Sequence, residues 1–147
     1  MSLRIEEKVY SLLLNSQTKS CYRKGDEIMV KVVWFLKKAD HLSMDEFRRW
    51  WLSEHALKVV EKQGSMLTRY IVNIRTDTDV LPGAANTPFE WDGMAEEWFE
   101  SEEAAGQAFT LPSASDTRND VMTHVSKLSR LVVTEHCILD RLRPTSG

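Results

Sequence analysis

The stretch IMVKVVWFLKKADHLSMDEFRRWWLSEHALKVVEKQG, residues 28–64, decides the fold. Its first nine residues, Ile28 to Leu36, are β-branched and aromatic, the composition of a strand. Ser43-Met44-Asp45-Glu46 is a capping box: the Ser43 hydroxyl takes the Glu46 amide, and the Glu46 carboxylate reaches back to the Ser43 amide. A helix is predicted from there to Gln63, with Gly64 at the position after the last turn that favours glycine. Phe47, Trp51, His55 and Val59 recur every four residues and so share one helix face. Three of them are apolar and belong against a sheet, and they carry His55 into the same buried layer.

Outward from this unit the pattern repeats. Leu67 to Ile74 (LTRYIVNI) reads as a second strand, and Arg75 to Glu90 as a long loop holding Pro82, Gly83 and Pro88. Gly93 to Phe99 (GMAEEWF) is a third strand. Ser101 caps a second helix, with Glu102 and Glu103 in the first turn where the helix dipole favours acids. That helix ends before Pro112. Asp116 to Ser129 reads as a further helical stretch and Leu131 to Leu139 (LVVTEHCIL) as the last strand. The order βαββαβ predicts an α+β, ferredoxin-like domain with a four-stranded antiparallel sheet, spanning residues 29–140, with a tail over 141–147.

Residues 1–28 form a separate extension with two readings. Leu3, Ile5, Val9, Leu12 and Leu13 stripe one face of a short helix. Alternatively Met29 is the natural start, because Lys24-Gly25-Asp26 can be encoded by a purine-rich ribosome-binding site, and the extension is not native.

The strands also speak about assembly. A sheet covered by helices on one side and water on the other alternates apolar and polar residues. The first strand carries Val30, Val32, Trp34 and Leu36 on one face and Met29, Val33 and Phe35 on the other. One helix layer covers one face only, so a homodimer is expected, with two sheets face to face as an α/β barrel. The competing expectation is that the extension or the 116–129 segment covers the second face.

Composition narrows the function. With 19 Lys+Arg against 22 Asp+Glu the formal charge is −3, without the clustered positive charge of a nucleic-acid binder. No apolar run is long enough to span a bilayer, and the charged first residues are unlike a signal peptide, so the expected compartment is the cytoplasm. Cys21 and Cys137 form no close pair, so neither a disulfide framework nor a zinc site is expected. Cys137 falls inside the last predicted strand, as inert packing. His41, His55, His124 and His136 show no metal-ligand spacing, and no nucleotide-binding or serine-hydrolase motif is present.

His55 is the first candidate for chemistry, since histidine exchanges a proton near neutral pH without perturbation; the alternative is a core histidine with a satisfied hydrogen bond. Tyr70 sits mid-strand. Asp92, Met94, Glu96 and Trp98 share one face of the third strand, and Glu97 lies opposite with Ala95 and Phe99. Glu96 is expected to pair with Arg69 or to orient His55. His136 shares a face with Val132, Thr134 and Ile138. Trp50 is expected to be half exposed.

Four segments, in order, resemble the EthD family: Phe47, Trp51 and His55-Ala56 in DEFRRWWLSEHALKVV; Tyr70 and Asn73 in LTRYIVN; Asp92, Gly93, Glu96 and Trp98 in WDGMAEEWFESEEA; and Glu135 in VVTEHCIL. The resemblance implies a dimeric α/β barrel and, most similar within it, proteins of the methylmuconolactone-isomerase type. It implies a cofactor-independent enzyme that moves protons on a small oxygenated cyclic or aromatic metabolite, by isomerisation, dehydration or cyclisation. His55 would be the acid–base group, Tyr70 the oxygen-holding group, and Glu96 or Asp92 the group that orients His55. Trp51, Trp98 and His136 would line the substrate pocket. Two alternatives stand beside it: a non-catalytic binding protein accessory to a pathway, and a haem-binding barrel with His55 or His136 as axial ligand.

Overall fold

The computed structural model describes residues 23–24, 27–78 and 89–142, with side chains from residue 29. The helix expected in the extension, Gly25 and Asp26 of the stretch before Met29, and the Pro82–Pro88 part of the loop lie outside the described residues.

Four antiparallel strands form one sheet: β1 (Val30–Lys38), β2 (Leu67–Ile74), β3 (Gly93–Phe99) and β4 (Val125–Val133), in the order β2-β3-β1-β4. Arg23–Lys24 and Glu27–Ile28 make a separate two-stranded ribbon. The described residues also form four α-helices: α1 (Met44–Trp50), α2 (Ala56–Gln63), α3 (Glu102–Thr110) and α4 (Ala114–His124). The Ser43 capping box is present in full, and Gly64 takes the positive φ of 56° that its place after α2 requires.

Between α1 and α2 the chain makes one π turn, Trp51–His55, with the Ala56 amide donating to the Trp51 carbonyl five residues back. Side chains spaced by four drift slowly around an α-helix, and a wider turn cancels that drift. Phe47, Trp51, His55 and Val59 are accordingly all buried. So is Trp50, which corrects the expectation of half exposure: its ring is stacked between those of His55 and His124, at centroid distances of 4.8 and 4.3 Å.

The last strand is the main correction. It runs Val125–Val133 rather than Leu131–Leu139, and the preceding helix stops at His124. Register explains the difference: Leu36 pairs with Leu128, Trp34 with Arg130 and Val33 with Leu131. As an edge strand, β4 tolerates Ser126, Lys127, Ser129 and Arg130, and these polar residues disguise its first half. Of the apolar run LVVTEHCIL only Leu131, Val132 and Val133 are strand, and the rest is the segment beyond it. Cys137 falls in that segment and is disulfide-bonded, which corrects the expectation of inert strand packing.

The core lies between sheet and helices. One cluster gathers Leu36, Phe47, Trp50, Trp51, Ala95 and Val125, and a second Val32, Phe99, Ala105 and Ala108. On the other face Lys31 pairs with Glu96 and, at 2.9 Å, with Glu135, and its ammonium stands 4.5 Å from the Trp98 ring centroid.

Candidate active site

A cavity of about 310 Å³ opens between the sheet and the helix layer, near the small end of ligand pockets, which run from roughly 300 to 1,000 Å³. Trp51 and His55 reach it from the π turn, Tyr70 from β2 and Glu97 from β3. Tyr70 and Glu97 stand directly opposite each other on neighbouring strands.

Three of the residues singled out in the sequence, His55, Tyr70 and Trp51, are thus brought together. The other four are not. Glu96 is on the opposite sheet face with Lys31 and Asn73. Trp98 is on that face too, under Lys31 and Arg69. Asp92 accepts from the Lys38 amide and the Arg75 guanidinium, both at 2.9 Å, and fastens a strand end. His136 is exposed beyond the end of β4.

The carboxylate that meets His55 is Asp120 of α4, with Oδ2 at 2.9 Å from Nδ1. Asp120 also accepts from Trp50 Nε1 at 3.2 Å and pairs with Lys58 at 3.3 Å. Burial alone would raise its pKa, but the hydrogen bonds from His55, Trp50 and Lys58 outweigh it and hold the carboxyl below its usual range. An ionised Asp120 is acceptor-only, so Nδ1 of His55 carries the hydrogen and Nε2 keeps its lone pair. Burial lowers the His55 pKa, and the Asp120 contact opposes this only in part. The imidazole is therefore neutral at pH 7, a base with its tautomer fixed.

Glu97 has the opposite character. It accepts from Trp34 Nε1 at 3.1 Å and from the Gln63 side chain, yet burial dominates and pushes its pKa up to about 7. Tyr70 accepts from Trp51 Nε1 at 3.2 Å, which leaves its own O–H free to donate. Burial raises the Tyr70 pKa, so the phenol stays protonated. Carboxyl and imidazole groups whose environments drive their pKa values in contrary directions are the arrangement from which acid and base roles are assigned.

Gly93 makes this geometry fit. A β-carbon there would overlap the Trp51 ring and come to 2.8 Å from the Asn73 carbonyl oxygen.

Sequence reasoning missed Asp120, whose contact with His55 spans 65 residues and has no local signal. It set Glu97 aside, although sharing a face with Ala95 and Phe99 already marked that side as the buried one.

Among the described residues no group of His, Cys, Asp and Glu is arranged to hold a metal ion, and no helix is long and apolar enough to cross a membrane. Fold and site define an α+β ferredoxin-like protein with a pocket between sheet and helix layer. The EthD domain model matches residues 39–127, and the chain belongs to the EthD family. Among solved structures, an ethyl tert-butyl ether D (EthD) family protein from Bacillus halodurans matches with a TM-score of 0.58 and 16% identity, over 74% of this chain and 99% of that one. SnoaB, a cofactor-independent oxygenase from Streptomyces nogalater, matches with a TM-score of 0.56 and 12% identity, over 76% and 97%. A dimeric ferredoxin-like protein of unknown function from Thermobifida fusca matches with a TM-score of 0.51 and 10% identity, over 78% and 96%. No protein of curated function matches the sequence.

Proposed function

We propose that this protein is a cofactor-independent enzyme that moves a proton on a small oxygenated cyclic or aromatic compound. The observation that carries the reading is the pocket's pair of oppositely tuned groups: His55, tautomer-locked by Asp120, and a Glu97 that still holds its proton near neutrality. His55 Nε2 takes a proton from a carbon next to a carbonyl. The Tyr70 hydroxyl and the Glu97 carboxyl hold the enolate oxygen that forms. Return of the proton to another carbon gives isomerisation. Loss of a β-hydroxyl as water, with Glu97 supplying the proton, gives dehydration. Trp51 and Trp34 keep water from the reacting atoms.

Proton exchange tests the reading on whole classes of compound at once. Cyclic ketones, lactones and hydroxyquinones incubated with the protein in D₂O are followed by NMR for loss of C–H signal. The expected result is exchange with at least one class, abolished by His55→Ala. Exchange that is the same with and without protein across all classes sinks the reading and leaves a binding protein.

The pH profile follows from the same groups. Activity needs neutral His55 and protonated Glu97. The acid limb should fall below 6.5, where the depressed His55 pKa lies, and the alkaline limb near the Glu97 value of about 7. Stability changes with the same sign for Glu97. Because its folded pKa is raised, the folded state binds the extra proton, so this contribution is complete below the unfolded value of 4.5 and is lost as pH rises through about 7. The loss is on the order of 3 kcal/mol. Denaturant unfolding of wild type and Glu97→Gln between pH 4.5 and 7.5 checks it; the variant should lack this downward slope.

The sheet face remote from the helices supports a homodimer. Leu131 is on that face opposite Val33, and Leu131, Ile138 and Leu139 are exposed. Sedimentation should give twice the chain mass for wild type and a shift toward monomer for Leu131→Asp. An unchanged wild-type monomer at high concentration would refute the pairing.

A further inference from the structure

The pocket has two chemically different ends. At the buried end stand Glu97 and Gln63, 4% and 9% exposed and both lining the cavity, and a protonated Glu97 carboxyl can both give and accept a hydrogen bond. At the open end stand Arg118 and Arg130, both exposed and both lining the cavity. Lys62 lines it as well. Among the described residues neither arginine has a carboxylate partner; the Arg130 guanidinium lies over the Trp34 ring at 5.5 Å. A chain of net charge −3 thus places two arginines without a carboxylate partner beside a cavity that Glu97 also lines. A cleft rimmed with one sign of charge concentrates ligands of the other. Between the ends the walls are flat and apolar, with Trp34 and Phe109 edge to face at 5.6 Å.

We propose that the ligand is a flat, hydroxylated ring acid, bound with its hydroxyl at Glu97 and its carboxylate between Arg118 and Arg130. The inference rests on this pocket being the site named above and adds the substrate class. It does not rest on the chemistry assigned there.

Titration calorimetry with three probes tests it: 6-hydroxy-2-naphthoate, 2-naphthol and 2-naphthoate. The expected order puts the hydroxynaphthoate first, about tenfold tighter than either analogue that lacks one group. The preference over 2-naphthol should shrink as salt is raised. The Arg118→Gln/Arg130→Gln double variant, changed only at exposed positions, should erase that preference and leave 2-naphthol binding unaltered. Glu97→Leu should erase the preference over 2-naphthoate. Equal binding of hydroxynaphthoate and naphthol by wild type, a preference that survives the double variant, or no binding of any probe at millimolar concentration would each overturn the proposal. A protein that keeps the carboxylate preference yet exchanges no proton in D₂O would sink the enzymatic reading alone.

Discussion

His55→Ala should lower the rate of proton exchange by about a hundred- to ten-thousand-fold, the range for loss of a placed general base. The protein should stay folded, because Asp120 keeps its bonds from Trp50 and Lys58. Asp120→Asn separates orientation from the base itself. The amide still offers an oxygen to Nδ1–H but no charge to the imidazolium that forms. We expect roughly a ten- to hundredfold loss, within the span seen when a partner that orients a base is changed. The acid limb should also move to lower pH, since the raising influence of Asp120 on His55 is gone. A purely structural Asp120 would lower the melting point and leave the limb in place. Rate profiles of both variants, read beside their melting curves, decide between the two.

Gly93→Ala should be the most damaging single-methyl change. The new carbon meets the fully buried Trp51 ring on one side and the Asn73 carbonyl on the other, and neither yields easily in a packed layer. Overpacking of this kind costs about 1–3 kcal/mol, several degrees of melting temperature for a domain this size. If the ring moves instead, its bond to Tyr70 is lost and the phenol is misplaced, so the exchange rate falls as well. Trp51→Phe trims the atoms that clash. The double variant should therefore be more stable than the two single losses predict, by about 1 kcal/mol in a double-mutant cycle. Strict additivity would show that Gly93 is there for some other reason.

Local signals carried most of the fold. The Ser43 capping box, the β-branched first strand and the alternation of β2 and β3 are written in short windows, and β2 and β3 run as read. The last strand was misplaced because its position depends on a partner: the pairing of Val125–Val133 with β1 is a long-range fact, and an edge strand needs no apolar signature. The same holds for the site. His55, Tyr70 and Trp51 were legible because periodicity alone puts them toward the core. Asp120 was not, because α4 meets the π turn only through tertiary packing. Glu96 drew attention as a charge on a strand, but the face it occupies has its own cation, Lys31.

Asp120 gathers donors from Trp50 at the end of α1, His55 in the π turn and Lys58 on α2, so one carboxylate rivets α4 to three successive pieces of a single helical run. Under the proposed function this rivet would tighten with use: a His55 holding the substrate's proton would be a cation 2.9 Å from that oxygen, gripping the helix that walls the pocket harder until the proton leaves.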